Sequence, residues 1–214
     1  MGLKLSGFEC NMFGEITYIV WDEATRQAAV VDAGMSNRAE RDTIDRFIAD
    51  NGLQVKYLLN THIHFDHALG IPYMEQKYGV KLSASPAEVP LASMLQQQTV
   101  QFHLPIAVEN VTIDHPLHAG DEILLGDSKL TVIDVPGHTP GGIAFYCAAQ
   151  HFVLTGDSLF QGSIGRTDLY GGSHEALVSS VKDNLLTLPP ETVVYPGHGP
   201  ATTIGHERTF NPYL

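Results

Sequence analysis

Asn60-Thr61-His62-Ile63-His64-Phe65-Asp66-His67 sets three histidines and one aspartate within six residues, directly after the apolar run 55–59. That run reads as a strand, and a strand end is a rigid place from which to aim side chains. Residues two apart in extended chain share a side, so His62 and His64 point together toward one ion. Asp66 and His67 follow where the chain turns toward a helix, and their different directions suit a second ion nearby.

Three later segments repeat the plan, each at the end of an apolar strand and beside glycine: Pro136-Gly137-His138-Thr139-Pro140, Thr155-Gly156-Asp157-Ser158 and Tyr195-Pro196-Gly197-His198-Gly199. Glycine permits sharp turns that bring loop backbone close to a ligand site. Together the segments supply five histidines and two aspartates with no thiolate. Such donors suit zinc, iron or manganese rather than a copper-thiolate or iron-sulfur centre. A single histidine is more often a hydrogen-bonded loop or core residue; the repeated strand-end placement distinguishes these.

Around the segments, apolar stretches at 16–21, 28–31, 55–59, 123–125, 130–135, 143–147, 152–154 and 193–195 read as strands, and the alternation at the N-terminus suits another. Ser36 and Asn37 offer caps for a helix with Ile44, Phe47 and Ile48 on one face, ended near Gly52. Ser173 opens a second, with Leu177, Val181 and Leu185 four residues apart, stopped before Pro189 and Pro190. Residues 86–102 predict a further helix in which Met94 fills core. Strands with helices interspersed in both halves indicate a layered α+β protein, with one sheet or two left open.

The 214 residues carry no linker or repeat and read as one domain, 1–214. With 43% hydrophobic and 17% charged residues the chain is too apolar for disorder. Its formal charge of −12 repels nucleic-acid phosphates and anionic lipid, so neither is an expected partner. The two cysteines, Cys10 and Cys147, lie far apart in no Cys-x-x-Cys pair, which excludes a disulfide scaffold, and both read as buried thiols. No run reaches the ~18 apolar residues of a membrane span, and a cytoplasmic setting is expected.

The motif His-x-His-x-Asp-His with later His, Asp and His resembles the metallo-beta-lactamase superfamily over roughly residues 12 to 200. The resemblance implies a four-layer αβ/βα sandwich whose loops hold the site at one sheet edge. Carried over by position, it puts His62, His64 and His138 on a first metal and Asp66, His67 and His198 on a second, with Asp157 bridging. Two ions, zinc first with iron or manganese as alternatives, would hold a bridging hydroxide and polarise the bond it attacks; Asp66 would orient that hydroxide and accept its proton. Residues 86–118 match no motif of the family, and His103, His115, His118, His151, His174 and His206 fall outside the pattern.

The segment from Gly156 to Asp168, with Gly165-Arg166-Thr167-Asp168, looks like the glyoxalase II group, hydroxyacylglutathione hydrolases that cleave thioesters. Arg166 matches that group's substrate-contacting base; its alternative is an ion pair with Asp168 that fixes the loop. Sixteen residues follow His198, too few for the helical domain of the long enzymes, so the short bacterial type is the better match. The expectation is a hydrolase acting on a small-molecule thioester. The same segment also resembles persulfide dioxygenases, which hold one iron with residues corresponding to His62, His138 and Asp157. Other hydrolases of the superfamily, nuclease-like members included, form a third alternative.

Overall fold

A computed structural model describes residues 2–101, 103 and 108–214. Strands β1 (Leu3–Cys10), β2 (Glu15–Asp22), β3 (Gln27–Val31), β4 (Gln54–Leu59), β5 (Leu82–Ala84) and β6 (His115–Pro116) form one sheet in chain order. The first three run antiparallel and the rest parallel. The second sheet has the order β14-β13-β10-β9-β8-β7, from β7 (Glu122–Leu125), β8 (Ser128–Asp134), β9 (Ile143–Cys147), β10 (Phe152–Gly156), β13 (Val193–Pro196) and β14 (Thr202–Thr203). A small hairpin, β11 (Leu159–Phe160) with β12 (Ser163–Ile164), follows β10.

Period-two alternation assigns each strand face to a layer. Tyr18 and Val20 of β2, Ala29 and Val31 of β3, and Leu59 of β4 face Phe145, Phe152 and Leu154 between the sheets. The intervening Ile19, Ala28, Val30 and Leu58 face outward against α1 (Arg38–Asp50), α2 (Ile71–Tyr78), α3 (Val89–Ala92) and α4 (Leu95–Gln101). Beyond the other sheet, Ala144, Val153 and Val194 meet α5 (His174–Ser180) and α6 (Ile204–Phe210). The result is the four-layer αβ/βα sandwich. Its inner layer is closely filled: Phe145 is fully buried, and truncating such a phenylalanine to alanine costs about 3–5 kcal/mol.

The helices begin where their caps dictate. Asn37 accepts the Glu40 N–H at 3.1 Å, while Glu40 reaches back to the Ser36 N–H at 2.7 Å, a reciprocal cap. Ser173 caps α5 through the Ala176 N–H. Four residues exceed one 3.6-residue turn, so a stripe at 177, 181 and 185 drifts around an α-helix. The widened π-turn Val181–Leu185 offsets the drift and keeps Leu177, Val181 and Leu185 buried together.

Two expectations are corrected. The single helix at 86–102 is a 3-10 turn at Pro86–Glu88 followed by α3 and α4, broken at Ser93 and Met94. Met94 is half-buried and lines a groove instead of filling core. Cys10 and Cys147 are buried free thiols, as expected. Among the described residues no helix is long and apolar enough to cross a membrane.

Candidate metal centre

The candidate residues occupy loops that leave the C-terminal ends of β4, β8, β10 and β13. Inter-sheet hydrogen bonds fasten this end of the sandwich: Ile143 N–H to the Thr61 carbonyl, 2.9 Å, and Ile16 N–H to the Gly197 carbonyl, 2.8 Å. Gly137 adopts φ +132°, and a Cβ there would lie 2.2 Å from the Leu177 backbone nitrogen, so the His138 turn packs directly on α5. At Gly197 a Cβ would intrude to 2.4 Å from Asp157 Oδ1 and 2.6 Å from His67 Cε1.

All seven sequence-selected residues converge. The ligand atoms of His62, His64 and His138 lie within 4.8 Å of one another, and so do those of Asp66, His67 and His198. Asp157 stands between the groups: Oδ1 is 3.4 Å from His67 Nε2, and Oδ2 is 3.7 Å from both His138 Nε2 and His198 Nε2. Asp66 Oδ2 is 3.3 Å from His198 Nε2. The six histidines outside the pattern, His103, His115, His118, His151, His174 and His206, are all exposed.

Neighbouring oxygens aim the imidazoles. Nδ1 of His138 donates to the Arg166 carbonyl at 2.7 Å, and that of His198 to the Phe13 carbonyl at 3.2 Å. His67 Nδ1 lies 3.2 Å from Asp32 Oδ2. His62 Nδ1 meets Thr61 Oγ1 at 3.0 Å, a hydroxyl that itself donates to Asp32 Oδ2 at 2.7 Å. With Nδ1 of His62, His138 and His198 bonded to oxygens and that of His67 within ion-pair reach of Asp32, the Nε2 atoms of these four rings turn toward the centre. Nε2 of His62, His64 and His138 are buried and have no hydrogen-bond partner. Unpartnered buried acceptors are costly, and a divalent cation satisfies them; the His/Asp donor set fits such ions.

Electrostatics agrees. Burial, reinforced by the neighbouring His67 and His138, holds His62 well below its usual pKa, and burial takes His64 down to about 3. Both are neutral lone-pair donors at pH 7. At His67 burial opposes protonation, yet the charges of Asp157 and Asp66 raise its pKa well above the ordinary value. Asp157 is held below the carboxylate range by His67 against the effect of its burial. Two carboxylates around one imidazole thus call for positive charge, which a metal ion supplies.

Several positioning residues escape the sequence motifs. Asp32 directly follows β3 and touches both His67 and, through Thr61, His62. Asn60 Nδ2 donates to the His62 and His67 carbonyls at 3.2 and 2.8 Å. Glu88 and Gln98 come from the stretch 86–118 and bind the motif backbone. An acid closing the run Ala28-Ala29-Val30-Val31 is the only sequence signal among them. Arg166 pairs bidentately with Asp168, Nε–Oδ1 2.7 Å and Nη2–Oδ2 2.9 Å, on the exposed side of the loop. Beside His64 a groove of about 240 Å³ is lined by Leu91, Met94, Gln97, Gln101 and Tyr170, with Asp168 at its edge. A larger cleft of about 620 Å³, bordered by Tyr57, Tyr78 and Leu117, contains none of the candidate residues.

Two sheets, two flanking helical layers and a histidine-aspartate centre at one end define a class of metal-dependent proteins. The chain belongs to the metallo-beta-lactamase superfamily, whose family model matches residues 14–198. It is 35% identical over 198 residues to the hydroxyacylglutathione hydrolase GloC of Haemophilus influenzae, covering 92% of this chain and 91% of that one. It is 32% identical over 202 residues to the mitochondrial persulfide dioxygenase ETHE1 of Mus musculus, covering 92% and 70%. The TTHA1623 protein, solved in a di-iron-bound form, superposes with a TM-score of 0.85 at 33% identity, covering 98% of this chain and all of that one.

Proposed function

We propose that this chain hydrolyses small-molecule thioesters with two divalent ions, His62, His64 and His138 holding one and Asp66, His67 and His198 the other, with Asp157 shared. The observation that carries the reading is the pair of three-residue donor groups meeting at one carboxylate. Its likeness to a hydroxyacylglutathione hydrolase supports the thioester as substrate class. When bound, two such ions supply a water acidified from a pKa of ~15.7 to about 7 and an electrophile for the carbonyl oxygen.

The chain's own residues do the rest. Asp66, 14% exposed at the mouth of the centre, accepts the proton of the attacking water and orients it. The groove beside His64 receives the substrate between Met94, Gln97 and Tyr170. A thiolate leaves without a protonated side chain to assist it. Arg166 binds a carboxylate on the thiol portion by exchanging Asp168 for it, an exchange eased by the exposure of both side chains. The net charge of −12 opposes nucleic acid as a substrate.

A second reading has one observation in its favour, the likeness to persulfide dioxygenase ETHE1. It would use one iron on His62, His138 and Asp157. Parallel assays decide: zinc-loaded and iron-loaded protein with lactoylglutathione, following thioester loss, and with glutathione persulfide, following oxygen consumption. The hydrolase reading expects thioester loss in the first; oxygen consumption without any thioester hydrolysis overturns it.

A further inference from the structure

Glu88 closes the 3-10 turn ahead of α3 and is completely buried. Its two oxygens bind different loops. Oε2 accepts the Ile63 N–H at 2.7 Å, and Oε1 accepts the Gly141 N–H at 2.7 Å. Ile63 stands between His62 and His64, whereas Gly141 follows His138 by three residues. One carboxylate therefore ties the loop leaving the first sheet to the loop leaving the second, at the residues that bear the three-histidine group.

The fit around it is close. A Cβ on Gly141 would lie 2.9 Å from Glu88 Cγ, N and Oε1. Gln98 of α4 holds the other side of the same backbone, accepting the Phe65 N–H at 3.1 Å and donating to the Ile63 carbonyl at 3.3 Å. The second group takes no hydrogen bond from Glu88: His67 lies on Asp32 and Asn60, which also reach the His62 segment, and His198 is held by the Phe13 carbonyl. A paired ionic acceptor is specific to carboxylate. Glutamine accepts one N–H and turns amide hydrogens on the other, and aspartate is one methylene too short to span both.

We infer that Glu88 is a positioning residue that sets the spacing of His62, His64 and His138, and with it the affinity of that group for its ion independently of the other group. The inference rests on the two-ion reading above. The unusual feature is a single buried side chain, from a stretch without family motif, that governs one half of a two-part centre.

The test titrates metal-free protein with Zn²⁺ against a chromophoric chelator. His62→Ala and His198→Ala identify which binding step belongs to which group, and melting temperature is followed in parallel. Glu88→Gln should weaken the step missing in His62→Ala by roughly 10- to 100-fold, as loss of an outer-shell partner does. The step missing in His198→Ala should stay within about twofold, the scatter expected of uncoupled sites. Glu88→Asp, which keeps the charge and loses the reach, should show the same selectivity and serves if the glutamine variant does not fold. Equal weakening of both steps, or a lowered melting temperature with neither step changed, assigns Glu88 to the fold alone and overturns the inference. A wild-type protein that takes up only one Zn²⁺, or none, refutes the two-ion reading itself, and the inference falls with it.

Discussion

Replacing Asp32 by asparagine isolates one charge beneath the centre. Asp32 is 2% exposed and sits at φ +54°, a left-handed conformation that asparagine also tolerates. The amide oxygen can still accept the Thr61 N–H, which now meets Oδ1 at 2.7 Å. The amide nitrogen then stands where Oδ2 accepts Thr61 Oγ1 at 2.7 Å and faces His67 Nδ1 at 3.2 Å. The Thr61 hydroxyl can turn and accept from the amide, but at His67 donor meets donor, so that ring is driven to the tautomer that protonates Nε2, the atom needed beside Asp157. A hydrogen bond to a charged partner contributes about 1.5–3 kcal/mol, and each 1.4 kcal/mol is tenfold in affinity. Asp32→Asn should therefore weaken Zn²⁺ at the Asp66, His67 and His198 group by about 10- to 100-fold, in line with other outer-shell substitutions. A domain with a stability of roughly 5–15 kcal/mol survives that loss folded. Chelator competition measures the affinity and a thermal melt checks the fold. A folded variant whose Zn²⁺ affinity stays within about twofold of wild type refutes the role given to Asp32.

Other substitutions probe other parts of the account. Asp66→Asn should lower kcat by about 100-fold or more with little change in KM, because the amide cannot accept a proton; unchanged turnover in a variant that keeps its metal content removes Asp66 from the mechanism. Arg166→Ala should raise KM for a carboxylate-bearing thioester more than it lowers kcat, and an equal response with an uncharged thioester would reduce Arg166 to a clamp on its loop. Asp45 has its pKa lowered: burial opposes, but hydrogen bonds from Lys77, Tyr73 and Tyr78 prevail. A carboxyl depressed in the fold stabilises above its unfolded pKa and loses that contribution as pH falls through the folded value. Asp45→Asn should thus melt below wild type at pH 7, with the gap closing under acid below the usual carboxylate range; a gap that persists there contradicts the linkage.

The parts legible in the sequence are those with a local signature. β9 was readable to the residue because Ile143, Phe145 and Cys147 alternate with Ala144 and Tyr146 across two buried faces. The metal-centre candidates were readable because donors of one kind recur at strand ends. β6, β11, β12 and β14 have two residues each, too short to express a period, and exist only through their partners. The break between α3 and α4 leaves Gln98 directed at the His62–His64 backbone, a requirement that no helical periodicity contains. Glu88 and Asp32 are likewise ordinary acids in the chain, and what makes them matter is a pair of backbone N–H groups or an imidazole brought from a distant segment.

The number of divalent ions held per chain separates a two-ion centre from a one-ion centre. Metal-free protein re-equilibrated with Zn²⁺ and analysed for bound metal should hold two ions, and His62→Ala and His198→Ala should each hold one. A wild-type chain that saturates at a single ion, lost in His62→Ala and retained in His198→Ala, would contradict the two-ion account.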